Sequence, residues 1–133
     1  MSGVTELEQL LRSMNPHLVN GDFVFCTVAG ELKDYLECNP VATFVESEGV
    51  TLVIEKSVAE QRGIKFEGIY RQITLTVHSS LDAVGLTAVV ATQLASQGIS
   101  ANVIAAYYHD HIFVQSSKAE AAIQALKALA VIQ

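Results

Sequence analysis

Hydrophobic and polar positions in the second half of the chain repeat with the periods of short strands and helices. In IYRQITLTVH (69–78) the apolar residues Ile73, Leu75 and Val77 alternate with polar ones, which predicts a strand with one buried side. In AVGLTAVVATQLASQG (83–98) the apolar residues form a helical stripe, and Gly98 stands where a left-handed residue would end a helix.

A strand pair and a last helix follow. The segments ISANVIAAYY (99–108) and IFVQSS (112–117) predict two antiparallel strands, joined by a tight turn at HDH (109–111). In SKAEAAIQALKALA (117–130) the apolar positions form a helical stripe, and the first serine has capping-box spacing to Glu120. The predicted order of the second half is therefore β-α-β-β-α.

The first half of the chain predicts a similar order. Its segments are a helix LEQLLRSM (7–14), strands HLV (17–19) and FVFCTV (23–28) around an Asn20-Gly21 hairpin turn, a short helix ELKDYLEC (31–38), paired strands VATFVE (41–46) and VTLVIE (50–55), a helix KSVAEQRG (56–63) and a strand IKFEGIY (64–70). From Asp22 onward the order is β-α-β-β-α-β.

The two halves are thus two copies of one supersecondary unit, and the fold class is α+β. Each copy is a ferredoxin-like βαββαβ unit, with an antiparallel sheet and helices on one face. The second copy lacks its last strand, because VIQ (131–133) is too short to supply it. Our hypothesis is that His17–Val19 supplies this strand, which would interleave the copies. The segment 64–78 would then serve both copies, with a bend at Gly68.

Composition limits the possible functions. The chain has 133 residues, of which 50% are hydrophobic and 17% charged, as in one folded domain or two small ones. A formal charge of −6 argues against a nucleic-acid partner, since phosphate backbones attract basic surfaces. No apolar run is long enough to span a bilayer, and the acidic N-terminus does not fit a secretory signal. We therefore expect a cytoplasmic protein without nucleic-acid or membrane partners, in which Cys26 and Cys38 are reduced thiols.

Patterns for catalysis or metal binding are weak. The HDH segment offers two imidazoles and a carboxylate, but zinc sites take three or four ligands from separate elements, so a hairpin turn competes with a metal site there. His78, Ser79 and Asp82 are the residue types of a catalytic triad, but the G-x-S-x-G turn that positions such a serine is absent. Glycine motifs for phosphates and dinucleotides are absent as well. The sequence predicts no enzyme, no metal site and no cofactor.

The loop SSLDAVG (79–85), between a strand and a helix, has residues suited to a small zwitterion. The start of the helix favours a carboxylate, Asp82 accepts from an ammonium group, and Gly85 leaves room for a close approach. Asn102, on the strand after the helix, offers a donor and an acceptor. The alternative is structural: Asp82 caps the helix, the serines are turn residues and Gly85 permits a close packing contact. The residues alone leave both interpretations open.

The stretch from Tyr70 to Val114 resembles the ACT domain, a regulatory module of aspartate kinases and other enzymes of amino-acid metabolism. The likeness lies in an S…D…VG loop at 79–85 and in GIS-x-NVI at 98–104. It is closest to the aspartate-kinase type, and the layout of two units is similar to small stand-alone tandem ACT proteins of bacteria. We accordingly expect an N-terminal ACT-like unit with a leading helix at 1–68 and a C-terminal ACT domain at 69–133.

The resemblance implies a regulatory fold that binds an amino acid and works as a homodimer or larger homo-oligomer. In the family the effector lies at an interface between ACT units, held by the loop after the first strand and the start of the second strand. The corresponding positions of this chain are Ser79, Ser80, Leu81, Asp82, Ala83, Val84, Gly85 and Asn102. The equivalent loop of the first copy, VAGELKDY (28–35), keeps Gly30 but lacks the serine–aspartate–glycine pattern.

Two classes of function remain. The first is an amino-acid sensor that acts through a separate regulated protein. The second is a protein-interaction or assembly module with a degenerate ligand site. The intact loop of the second copy favours the first, and the lack of an output domain favours the second. A small α+β enzyme is a third interpretation, but no arrangement of catalytic residue types in the sequence supports it.

Overall fold

The computed structural model describes residues 6–76 and 85–132. In chain order the elements are α1 (Glu6–Ser13), β1 (Pro16–Leu18), β2 (Phe23–Val28), a 3-10 helix (Leu32–Cys38), β3 (Ala42–Glu46), β4 (Gly49–Glu55), α2 (Lys56–Arg62), β5 (Tyr70–Leu75), α3 (Leu86–Ser96), β6 (Asn102–Ala105), β7 (Asp110–Gln115), a 3-10 turn (Ser116–Lys118) and α4 (Ala119–Ile132). None of the helices in these ranges is long and apolar enough to cross a membrane.

The chain divides into two compact units. One is Asn20–Tyr70, which we name the inserted unit, and the other joins Met1–Val19 to Arg71–Gln133, which we name the split unit. Each unit contains antiparallel strands and helices, so the predicted α+β class is confirmed.

In the split unit the strands follow the order β1-β5-β7-β6. Strand β1 is antiparallel to β5, with Pro16 opposite Leu75 and Leu18 opposite Ile73. The Val19 N–H extends this pairing by donating to the Gln72 carbonyl at 2.9 Å. This confirms the hypothesis that residues before Asn20 supply the missing strand of the second copy. The hairpin predicted at Asn20-Gly21 is wrong, since β1 pairs with β5 and packs Leu18 against the split unit's core.

The core of the split unit lies between one face of this sheet and three helices. Alternation along β5 buries Ile73 and Leu75, as predicted, and the stripe of α3 buries Leu86, Val90 and Leu94. The helices α1 and α4 contribute further apolar side chains, namely Leu11, Ala122, Ile123, Leu126 and Leu129. Burying one leucine of this kind stabilises a fold by about 1.5–3 kcal/mol. The burial of these apolar stripes therefore explains why the three helices pack on the same face of the sheet.

The hairpin between β6 and β7 differs from its prediction. Ala105 lies opposite Asp110, and the Ala106 N–H donates to the His109 carbonyl at 3.0 Å. The turn therefore falls at the exposed Tyr107-Tyr108 pair, and the prediction of a turn at HDH is wrong. The prediction began this strand at Ile112, whereas the pairing continues two residues further back, with His111 opposite Ile104 and Asp110 opposite Ala105.

The inserted unit has the strand order β3-β4-β2. Strands β3 and β4 form the predicted hairpin, closed by Glu46 opposite Gly49. The inward residues of β2 and β4 pack against Ala59 of α2 and Cys38 of the 3-10 helix. Helix α2 ends at Gly63, whose φ of +66° is the left-handed conformation expected there.

The strand predicted at IKFEGIY is wrong except for its last residue. Only Tyr70 pairs with β2, opposite Phe23. Residues 64–69 carry no strand, although Ile64 and Phe66 still pack against the core of the inserted unit. This segment therefore has the alternating apolar pattern of a strand but does not pair with a neighbouring strand.

Candidate functional site

The predicted ligand loop begins where β5 ends. Thr76 is fixed there by two hydrogen bonds to the Asn15 carbonyl, one from its N–H at 3.2 Å and one from its hydroxyl at 2.9 Å. The predicted site residues Ser79, Ser80, Leu81, Asp82, Ala83 and Val84 lie outside the described residues. Gly85 and Asn102 are the two predicted site residues whose positions the structure gives.

Gly85 is the residue from which α3 begins. Its φ of +106° and ψ of −32° suit glycine, and its carbonyl accepts the first helical hydrogen bond, from Val89 N–H at 2.9 Å. A Cβ at this position would lie 3.2 Å from the Leu7 Cδ2 atom of α1. The backbone conformation disfavours any side chain, and Leu7 would have to shift slightly to admit one. Both observations fit the close-packing interpretation of Gly85.

Asn102 is the first residue of β6, which is an edge strand of the split unit. Its Nδ2 donates to the Phe113 carbonyl of β7 at 3.1 Å. Its Oδ1 accepts no hydrogen bond from the part of the chain that the structure describes, and the side chain is exposed. One acceptor therefore faces outward at the open edge of the sheet.

The helix α3 separates Gly85 from Asn102. Gly85 precedes its first residue and Asn102 follows its C-terminal end, so its 11 residues lie between them. At 1.5 Å per residue the helix is about 16 Å long, several times the size of an amino-acid backbone. A single split unit therefore does not bring the two predicted site residues onto one small ligand.

The equivalent loop of the inserted unit is held by hydrogen bonds within itself. Asp34 Oδ2 accepts from the Glu31 N–H at 3.4 Å, at the start of the 3-10 helix. The Tyr35 hydroxyl donates to the Ala29 carbonyl at 2.6 Å. The polar groups of Asp34 and Tyr35 thus stabilise the loop, which lacks the serine–aspartate–glycine pattern of the second copy.

His111 lies inside the sheet of the split unit and is held by side chains of β5. Its Nδ1 is 3.0 Å from the Thr74 hydroxyl and 3.2 Å from Gln72 Nε2, which is a donor. Burial, followed by the neighbouring His109, lowers the pKa of His111, and Asp110 opposes this shift. A proton on Nδ1 would face the Gln72 donor, so the geometry favours the tautomer of His111 with an unprotonated Nδ1. No group of three metal-ligating side chains exists within the described ranges.

The two cysteines are buried free thiols in the inserted unit. Burial, and next the proximity of Cys38, raises the pKa of Cys26. A thiol with a raised pKa is a weak nucleophile, so Cys26 is suited to packing rather than to catalysis.

A cleft that the sequence analysis missed lies in the inserted unit, beside β2. It has a volume of about 740 Å³, in the range of small-molecule sites. Its lining comes from the outer edge of β2 and from the segment that fails to form a strand: Phe25, Cys26, Thr27, Lys65, Phe66, Glu67, Gly68 and Tyr70. The signal in the sequence was the bend residue Gly68 inside an apparent strand, because such glycines often mark a close approach.

Fold and geometry together define a class: tandem ferredoxin-like units, with Gly85 at the start of α3 in the split unit. Family models described as "ACT domain" match residues 2–71 and 67–128, and the chain therefore belongs to the ACT domain family. The predicted resemblance and the tandem arrangement are confirmed. Both matches are to regulatory domains, which supports a regulatory, ligand-binding role for the chain. No curated protein matches the chain.

Solved structures include one with high sequence identity. A Vibrio cholerae protein of unknown function, described as a possible transport protein, is 60% identical, with a TM-score of 0.88 over 97% of this chain and 99% of that chain. The ligand-free regulatory subunit of aspartate kinase from Thermus thermophilus is 11% identical, with a TM-score of 0.64 over 86% of this chain and 95% of that chain. E. coli aspartokinase III in complex with aspartate and ADP is 14% identical, with a TM-score of 0.60 over 90% of this chain and 33% of that chain. The two aspartate kinases share the fold with this chain.

Proposed function

We propose that this protein is a sensor that binds an amino acid in the loop of its second ACT domain and acts through a separate protein. Membership of the ACT family carries this proposal, since the chain matches two regulatory domains and no catalytic one. The helix start at Gly85 supports it further, because glycine gives no capping side chain and leaves backbone N–H groups for a carboxylate. We propose no catalytic activity for the chain.

The ligand site is shared between two copies in this proposal. Loop 79–85 of one copy and Asn102 of the partner copy hold one amino acid, because Gly85 and Asn102 of a single copy lie at opposite ends of α3. The edge strand β6 offers unpaired main-chain groups for a second copy, and the exposed Asn102 Oδ1 accepts from the ligand's ammonium group. A homodimer with twofold symmetry then contains two such sites.

A cytoplasmic location belongs to the same proposal. Its support is chemical: the two buried cysteines are free thiols, as is usual for proteins of reducing compartments.

Thermal unfolding in the presence of each of the twenty amino acids at millimolar concentration tests the sensor. A ligand that binds only the folded state adds about 2.7 kcal/mol of stability at a hundred times its Kd. We expect at least one amino acid to raise Tm in a way that Asp82→Ala abolishes. The matched control is Asp34→Ala in the equivalent loop of the first copy, which should leave that increase intact. A flat panel, or a panel in which Asp82→Ala abolishes no increase, contradicts the proposed site.

The alternative is an assembly module without a ligand, and one observation favours it. Strand β3 is an edge strand of the inserted unit and exposes Phe44 and Val45 by 56% and 76%, and Val41, just before the strand, is exposed by 50%. Such apolar edges normally pair with another chain. A flat amino-acid panel, together with loss of self-association in Val45→Lys, would select this alternative.

A further inference from the structure

The cleft beside β2 exists because the segment 64–69 cannot both pair with β2 and keep Phe66 packed against the core. Antiparallel pairing in the register of Phe23 and Tyr70 would place Thr27 opposite Phe66. Residues opposite each other in a sheet point to the same face, and Thr27 points away from the core while Phe66 packs against it. Pairing along the whole segment would therefore expose Phe66, and the segment stays apart from β2 instead.

The two ends of this segment are fixed. The Ile64 N–H donates to the Ala59 carbonyl at 2.9 Å, which ties the start of the segment to the end of α2. At the other end Tyr70 pairs with Phe23. Its ring folds back over Gly68, where a Cβ would lie 3.1 Å from the nearest ring carbon. The cleft is thus a built feature of the inserted unit.

One wall of the cleft is aromatic and offers main-chain groups. The rings of Phe25 and Tyr70 meet edge to face, with centroids 5.3 Å apart and planes at 72°. The Lys56 N–H donates to the Asp22 carbonyl, so even-numbered residues of β2 bond to β4 and odd-numbered residues face the other way. The amide and carbonyl of Thr27 therefore face the side on which the cleft lies, next to the rings of Phe25 and Tyr70.

The opposite wall carries one charge of each sign. Lys65 and Glu67 are exposed and alternate with Phe66, so both point away from the core and line the cleft. Neither forms an ion pair with any residue in the described ranges. The Lys65 ammonium and the Glu67 carboxylate thus face the aromatic wall of the cleft. This arrangement matches a ligand that has one charge of each sign and a flat apolar group.

We propose that this cleft is a second binding site, specific for an aromatic zwitterion such as an aromatic amino acid. Lys65 binds the ligand's carboxylate, Glu67 binds its ammonium group, and the ring packs against Phe25 and Tyr70. The site is independent of loop 79–85 and of Asn102, and it does not rest on the proposed function.

Two-dimensional amide NMR of the full chain, titrated with L-phenylalanine, tests the site. We expect shifts at Thr27, Lys65, Glu67 and Gly68 that saturate with a single Kd. The analogues 3-phenylpropionate, which lacks the ammonium group, and 2-phenylethylamine, which lacks the carboxylate, should each bind at least about tenfold more weakly, the effect of losing one charge-assisted hydrogen bond.

Matched variants assign the charges. Lys65→Gln should remove the advantage of L-phenylalanine over 2-phenylethylamine, and Glu67→Gln its advantage over 3-phenylpropionate. The exposed controls Lys33→Gln and Glu48→Gln should change neither, and Asp82→Ala should leave the cleft shifts intact. Shifts confined to Gly85 and Asn102, no shifts at all, or equal binding of the three compounds would each overturn the cleft site. Shifts at the cleft with none at Gly85 and Asn102 would leave the cleft site standing, and the panel of twenty amino acids tests the proposed function separately.

Discussion

At the scale of single residues, Gly85 lies where the start of α3 packs against α1. Its φ of +106° disfavours any side chain, and a Cβ would press on Leu7. We predict that Gly85→Ala lowers the free energy of unfolding by about 1–3 kcal/mol, the usual cost of a side chain in a sparsely populated backbone region. Urea unfolding followed by circular dichroism measures this loss.

Gly63 is the matched control for Gly85. It also has a positive φ, +66°, but no atom lies within 4 Å of the position of its Cβ. Gly63 has the ordinary left-handed conformation, φ +66° and ψ +27°, which alanine tolerates better than the conformation of Gly85. For this reason and for want of a contact, Gly63→Ala should lose less stability than Gly85→Ala. Equal losses in the two variants would show that neither the contact with Leu7 nor the φ of +106° adds to the cost.

His111 gives the split unit a dependence on pH. Burial and the neighbouring His109 lower its pKa from the ordinary value of 6.5, against the opposing effect of Asp110. Because the pKa is lower in the folded chain, the unfolded chain binds the proton first as the pH falls. This part of the stability is present above the unfolded pKa of 6.5 and is lost as the pH falls from there toward the folded pKa.

We predict that His111→Gln flattens the fall in unfolding free energy between about pH 7 and pH 5, since glutamine does not titrate. Urea unfolding at several pH values measures the slope. The control His17→Gln changes an exposed imidazole on β1 and should keep the slope of the unmodified chain. An unchanged slope in His111→Gln would mean that other groups cause the dependence.

At the scale of elements, the sequence predicted correctly the helices and strands whose local pattern agrees with their packing in the fold. The alternation of β5, the stripe of α3 and the glycine at the end of α2 were read correctly, because the same residues that favour the element also bury its apolar face. The segment 64–69 failed for the opposite reason. Its alternation satisfies the core, but its register with Tyr70 would turn Phe66 outward, and a register is not visible in a single segment.

The strand from the N-terminus is the element whose removal is most informative. Strand β1 covers β5, and the α1–β1 region adds Leu11 and Met14 to the core of the split unit. We predict that deleting residues 1–19 exposes the edge of β5 and causes aggregation. Size-exclusion chromatography with light scattering detects this outcome.

The deletion also has a clear contrary result. If the shortened chain remained monodisperse with an unchanged circular-dichroism spectrum, β1 would be dispensable for the split unit and the interleaved topology would have no structural role. Leu11→Ala is the milder test, with an expected loss of about 2–5 kcal/mol for a buried leucine.

At the scale of the whole molecule, the sequence predicted the ACT family. The site residues stay a prediction, and their distribution between two copies is a proposal that the fold suggests. The loop pattern and Asn102 can be found in the sequence itself. That α3 places Gly85 and Asn102 at its opposite ends is seen only in the fold. The division of the ACT domains at 1–68 and 69–133 stays a prediction. The cleft beside β2 was not predictable either, because it results from the conflict between Phe66 and the register of Tyr70.

The most direct test of the shared ligand site is a calorimetric titration of mixed variants with the amino acid found by thermal unfolding. Asp82→Ala and Asn102→Ala should each fail to bind alone. After subunit exchange in an equal mixture, half of the dimers pair the two variants, and one of their two sites contains both an intact loop and an intact Asn102. We predict that binding returns to about a quarter of the sites of the unmodified protein. No recovery in a mixture shown to exchange subunits would contradict a site shared between copies.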